Sequence, residues 1–325
     1  MRTDSNTAII STERPSSPVL VDVLSKKPAQ SKAFVLALVA NLLWGTSFLA
    51  SKNTLHAWGP FTASALRFAL ALVFLLIALP FFRFRIRLLN SKREFAGISL
   101  IALSGFGLLY PLQLTGLKFI SSGLSAAIML TSPIFVVVFG RLFLSEPISQ
   151  RKMIALFLGI TGGCILLFGT STLGAMASPN IIYGSLLTLG ASASLAASVA
   201  ITRKVALKLD AANITFWSML GGLLMLIPFA IHESDGNLLL AADPSALISL
   251  LYLALVCSAA CFLMWNAALA IASAKDIAST MHVKTPAAVA LGIVIAGEQW
   301  TSQLLAGCLI VAFGVWLSQR PEVQK

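Results

Sequence analysis

The sequence predicts an all-α integral membrane protein of ten transmembrane helices, arranged as two inverted five-helix repeats. Three observations predict it. Hydrophobic residues make up 58% of the 325 positions and charged residues 11%, with a mean hydropathy of +0.90, whereas a soluble domain carries about 25% charged residues. Apolar runs approach the roughly 20 residues needed to cross a hydrocarbon core of about 30 Å. Finally, Pro133, Glu146 and Gly162 recur as Pro286, Glu298 and Gly314, at offsets of 153, 152 and 152 residues.

In chain order, residues 1–32 are rich in Ser, Pro and Lys and read as a solvated, disordered cytoplasmic tail. The first repeat, 33–170, holds apolar spans at 33–50, 61–81, 95–114, 124–144 and 153–169. The second, 180–319, holds spans at 181–201, 214–231, 247–271, 277–296 and 304–317. An odd number of spans per copy turns the second copy upside down relative to the first. The first span is long for a signal-peptide core, and no A-x-A-like site follows it, so no cleavable signal is expected.

The formal charge of +11 is a topology signal and not a nucleic-acid signal, because of where the charges fall. Nineteen of the 23 Lys and Arg residues sit in the N-terminal tail, in the second, fourth, sixth and eighth connections, and at the C-terminus. The remaining connections hold Lys52 and Lys118 with the acidic Glu233, Asp235 and Asp243. The positive-inside rule then places both termini in the cytoplasm, and the expected location is a bacterial inner membrane. Cys164, Cys257, Cys261 and Cys308 all fall inside spans and read as small buried hydrophobes, with no metal pair or disulfide framework.

Two inverted copies are related by a pseudo-two-fold axis in the membrane plane, so a cavity between them can open to either side at similar energy. That is the physical case for alternating access, hence for a carrier. Pro133 and Pro286 fall near the centres of the fourth and ninth spans, where each frees the carbonyl four residues earlier, that of Met129 or His282. They are expected to kink those helices, with Thr131, Ser132 and Thr285 at hand for the freed carbonyls. Polar and aromatic residues gather at cavity depth: Asn41, Trp44 and Ser47 in the first span, Tyr110 and Gln113 in the third, Thr131 in the fourth, Trp265 and Asn266 in the eighth, and His282, Lys284 and Thr285 in the ninth. Two cations lie within spans. Arg67 is expected to snorkel to the outer interface, and Lys284 either meets a substrate or serves the structure. Trp58 and Trp300 read as interfacial anchors. No Asp or Glu occupies the middle of a span, which leaves proton coupling and intramembrane aspartyl chemistry without a candidate. No nucleophile elbow, HExxH or Walker loop is present, so no catalytic residue, metal or cofactor is expected.

The run Asn41-Leu-Leu-Trp44-Gly45-Thr-Ser47-Phe48, followed by Pro60 and Arg67-Phe68, resembles the opening of the EamA-type branch of the drug/metabolite transporter superfamily. The proline and helix-ending glutamate in both halves, Pro133 with Glu146 and Pro286 with Glu298, are similar to that family's mark. The resemblance covers about residues 33 to 320. It implies ten helices, a central cavity and export or exchange of small metabolites, often amino acids. The second half departs from it: Leu195 and Ala196 stand where the first half has Trp44-Gly45.

Three functions compete. The leading one is secondary export or exchange of small amphipathic metabolites such as amino acids. The second keeps the carrier and changes the cargo to sugar phosphates or nucleotide sugars, dianions that demand more than one interior cation. The third is a non-transporting membrane enzyme or assembly factor. Expected partners are the small-molecule substrate and the lipid bilayer, with a homodimer left open. Reporter fusions at residue 1 and residue 325 are expected to be active only as cytoplasmic fusions; opposite sides for the two ends would refute the odd-span arrangement.

Overall fold

A computed structural model describes residues 18–78, 85–144, 150–168, 179–205, 209–234, 243–271, 280, 284–297 and 301–319. These residues are helical apart from short turns, and they contain no strand. The helices are α1 (Pro18–Thr54), α2 (Pro60–Ala78), α3 (Lys92–Leu117), α4 (Ser122–Met129), α5 (Ser132–Leu144), α6 (Gln150–Phe168), α7 (Pro179–Val205), α8 (Ala211–Ser234), α9 (244–271), α10 (Lys284–Ala296) and α11 (Ser302–Gln319). Among the described residues six helices are long and apolar enough to cross a membrane, in α1, α2, α3, α7, α8 and α9, and two shorter apolar stretches lie at Ser122–Val136 and Leu305–Gly314.

Three local features were not in the sequence reading. First, α1 begins at Pro18, well before the apolar run, so the expected solvated tail is helical from that residue. Second, a turn interrupts the fourth span: α4 ends at Met129, Leu130 and Thr131 form the turn, and Pro133 stands second in α5. A missing amide hydrogen is harmless in a first turn, and proline's fixed φ suits it. The Ser132 hydroxyl takes the Met129 carbonyl left over at the break. Pro286 similarly stands third in α10. Third, α3 and α9 each contain a π-helical stretch, Leu103–Leu108 and Leu253–Ala260, at corresponding places in the two halves.

Exchanging the two halves maps the packing onto itself. Helix α1 packs on α10 and on the last part of α9; its counterpart α7 packs on α5 and on the last part of α3. The pair α2 and α8 lies side by side, as does the pair α6 and α11, and the π stretch of each half leans on α8 or α2 of the other. The α2–α8 pair is pinned at both ends. Glu233 accepts from the Thr62 amide at 2.7 Å and the Thr62 hydroxyl at 2.9 Å, closing the first turn of α2 from the neighbouring helix. At the other end the Asn213 side chain donates to the Arg85 carbonyl (3.0 Å) and accepts from the Arg87 amide (2.9 Å), and the Trp217 indole donates to the Arg87 carbonyl.

Outward faces are apolar, as lipid contact requires: Phe157, Ile248 and Val294 are among the most exposed hydrophobic residues. Cys164 joins them and is exposed, contrary to its expected burial. Trp58 is buried in the core and is not an interfacial anchor. Helices α6 and α11 touch through small residues, and a Cβ on Gly162 would lie 2.9 Å from the Gly307 carbonyl oxygen and the Val311 nitrogen. Close approach of this kind replaces the hydrophobic driving force that lipid cancels. Gly162→Leu is therefore expected to destabilise the purified protein by about 1–3 kcal/mol, read as a lower Tm in detergent. Gly190→Ala, whose Cβ would meet Leu112 at an ordinary 3.6 Å, is expected to melt like the parent.

Candidate functional site

Helix α1 presents Asn41, Trp44 and Ser47 at intervals of three residues, hence along one face. Asn41 is fully buried, and its amide donates to the Ala37 carbonyl at 2.8 Å and to the Thr280 hydroxyl at 3.1 Å. Its side-chain oxygen has no partner among the described residues. Ser47 donates back to the Trp44 carbonyl, and Trp44 donates across to the Cys257 carbonyl at 2.8 Å. Cys257 lies in the π-helical stretch of α9, whose widened turn presents its carbonyl to side-chain donors.

Arg67 reaches the same carbonyl. It is only 3% exposed, so the expected snorkelling is wrong. Its Nε donates to the Ser258 hydroxyl at 2.6 Å, its Nη2 to the Cys257 carbonyl at 3.4 Å, and its Cζ sits 4.6 Å from the centre of the Tyr110 ring. A hydroxyl, a carbonyl and an aromatic face give the guanidinium polar partners inside the bundle but leave its charge without a counter-ion among the described residues. Tyr110 follows the π-helical stretch of α3 and is edge-on to Phe68 at 4.9 Å. From there aromatic rings run without a break: Phe68 to Phe106 at 5.2 Å, Phe106 to Phe262 at 5.1 Å, Phe262 to Trp44 at 5.3 Å and Trp44 to Trp265 at 5.8 Å.

The structure thus brings Trp44, Tyr110 and Trp265 into one aromatic array. Gln113, one turn beyond Tyr110, is buried, and its side-chain amide makes no hydrogen bond among the described residues. Other expected residues have partners elsewhere. Thr131 shares a 2.9 Å hydrogen bond with Ser192 on α7, and Asn266 donates to Thr215 on α8 at 2.6 Å. Lys284 opens α10 and is buried, 7% exposed; its backbone carbonyl lies 2.7 Å from where a Cβ on Gly45 would stand, so only glycine lets α1 and α10 approach this closely. Thr285 and Pro286 are helical residues of α10 whose side chains lie outside the described part, and His282, Glu146, Glu298 and Trp300 lie outside the described residues.

The sequence reading missed Arg67, Ser258 and Phe262 as site residues. A cation in mid-span was the available signal for Arg67, since such a residue is costly in lipid and faces the interior by default. A cleft of about 610 Å³ between α1, α9 and α10, from His56 and Lys52 to Thr46, is lined by none of the array's residues. Among the described residues no three His, Cys, Asp or Glu side chains gather as a metal site.

Residues 31–168 and 182–319 each match the EamA-like transporter family. An "Uncharacterized transporter" of Archaeoglobus fulgidus is 28% identical over 294 residues, 90% of this chain and 99% of that protein. A "Probable amino-acid metabolite efflux pump" of Salmonella typhimurium is 25% identical, covering 87% and 93% of the two chains. The Escherichia coli protein of the same name is 23% identical over equal shares. One solved structure superposes with a TM-score of 0.63 at 16% identity, over 88% of this chain and 96% of the other, which shows a shared fold.

Trp44→Phe keeps the ring and deletes the donor to the Cys257 carbonyl. It is expected to cost about 1 kcal/mol of stability, measured as a small drop in Tm, with larger damage from Trp44→Ala because the aromatic array is broken.

Proposed function

The chain belongs to the EamA-like transporter family, and from that premise we propose that it is a secondary carrier exporting or exchanging small amphipathic metabolites such as amino acids by alternating access. The observation that carries the reading is the packing symmetry about a polar and aromatic interior. Its two crossings are each held by one buried hydrogen bond: Asn41 to Thr280 where α1 meets the approach to α10, and Thr131 to Ser192 where α7 meets α5. Asn41 and Ser192 are 151 residues apart, close to the repeat offset, while Thr280 stands four residues, about one helical turn, before the position that the 153-residue offset pairs with Thr131. Opening toward one side loosens one crossing and keeps the other, which costs little because a single hydrogen bond is worth about 1 kcal/mol net.

The proposed topology is ten spans in two inverted repeats, 33–170 and 180–319, with both termini in the cytoplasm. The fourth span is interrupted at Leu130 and Thr131 before α5, and an interrupted helix at mid-span depth points to a binding region. The proposed cavity wall comprises Asn41, Trp44, Ser47, Tyr110, Gln113, Thr131, Trp265, Asn266, His282, Lys284 and Thr285. Support for an amino-acid cargo comes from the two relatives named as amino-acid metabolite efflux pumps. A specific observation favours a second reading: with Arg67 buried beside Tyr110 and Lys284 also buried, two interior cations suit a doubly charged sugar phosphate.

Counterflow in proteoliposomes decides between them. Vesicles preloaded with a neutral amino acid are expected to take up the same labelled amino acid, and Lys284→Ala is expected to lower that rate severalfold. Counterflow driven by sugar phosphates and by no amino acid would replace the leading reading with the second. Wild-type rates in the Lys284→Ala protein would remove Lys284 from the cavity wall.

A further inference from the structure

We propose that Arg67 is an anion-docking residue, and that the site it anchors takes an organic carboxylate with an apolar or aromatic side chain. The inference rests on the carrier reading for the statement that this ligand is the cargo.

The guanidinium is nearly inaccessible, yet among the described residues no carboxylate is paired with it. Its described partners are a neutral hydroxyl, a neutral carbonyl and an aromatic face. The carboxylates whose side chains are described lie at helix ends and are engaged there: Glu94 with Arg87, Asp210 with Asn213, Glu233 with Thr62, and Asp243 with Ser245. Arginine does not lose its proton in proteins, so a buried one keeps its charge whatever the surroundings. An uncompensated charge of that kind in a lipid-embedded bundle is costly, and a mobile anion would relieve it.

The arrangement leaves room in the hydrogen-bond inventory. Five N–H donors are available on a guanidinium, and the described residues engage Nε and Nη2 while Nη1 makes no hydrogen bond among them. Ser258 and the Cys257 carbonyl fix the plane of the group, and Tyr110 covers one face, so the fork is pre-oriented for a planar carboxylate. Lys284 has no comparable set of partners among the described residues. Phe68, Phe106, Phe262 and Trp44 continue from Tyr110 in ring-to-ring contact, so an apolar or aromatic group is the neighbour a carboxylate bound to Arg67 would bring next to them. Charge at one end and rings along the side define the ligand class.

The test compares phenylalanine and leucine with their carboxamides on the purified full-length protein, by thermal stabilisation in detergent and by transport in proteoliposomes. The acids are expected to stabilise the protein and the carboxamides to bind at least about tenfold more weakly, the loss of a charge-assisted hydrogen bond. Arg67→Gln is expected to abolish the preference for the acid, Arg67→Lys to retain part of it, and Ser258→Ala to weaken it. Equal stabilisation by acid and carboxamide, or an unchanged preference in Arg67→Gln, overturns the proposal, as does the absence of stabilisation by either acid. Should Arg67→Gln fail to fold, the acid-to-carboxamide comparison on the parent protein decides alone. Equal transport of acid and carboxamide sinks the carboxylate site and leaves the carrier standing. Acid binding that depends on Arg67 without any transport supports the anion site and sinks the carrier.

Discussion

Hydrocarbon offers no hydrogen bonds, and that constraint governs this structure. A polar group placed inside a span must be matched within the protein or stay costly. Here the matches cross between helices that are far apart in sequence: Asn41 with Thr280, Trp44 and Arg67 with Cys257, Thr131 with Ser192, Asn266 with Thr215. Apolar packing alone would let helices slide, because lipid tails compete equally well for a leucine. The few buried polar contacts, together with the close approaches at Gly45 and Gly162, fix which helices meet and at what height.

The π-helical stretches of α3 and α9 are the device that concentrates chemistry in the interior. Each sits against α2 or α8 of the opposite half. A widened turn changes the direction of the residues that follow it and turns its own carbonyls toward side-chain donors. In α3 this precedes Tyr110; in α9 it supplies the Cys257 carbonyl and the Ser258 hydroxyl. The consequence is a guanidinium and an indole on one backbone oxygen, with a phenol ring against the guanidinium, produced by contacts between the halves and not by either half alone.

The proline positions carry a related lesson. Proline in a helix interior kinks or breaks it, and here Pro133 stands in the first turn of α5 after a two-residue turn, with the Ser132 hydroxyl taking up the carbonyl at the end of the preceding helix. A broken span can be repacked at its junction without distorting the rest of the bundle. That is the mechanical property a carrier of this kind draws on, and the crossing bond Thr131–Ser192 lies at this junction.

The sequence by itself determined the membrane class, the doubling of the chain and the polar or aromatic character of Asn41, Trp44, Tyr110 and Gln113 inside apolar runs. These follow from hydropathy and spacing, which are local properties of a chain entering lipid. It also flagged Arg67 but sent its side chain to the interface, whereas it is buried. From one helix the same side chain can reach the interface or the interior, and the choice rests on Ser258, which lies 191 residues away. The turn before Pro133, the π-helical turns and the burial of Trp58 were likewise decided only by the tertiary structure, because each depends on which distant helix supplies a donor, a carbonyl or a close surface.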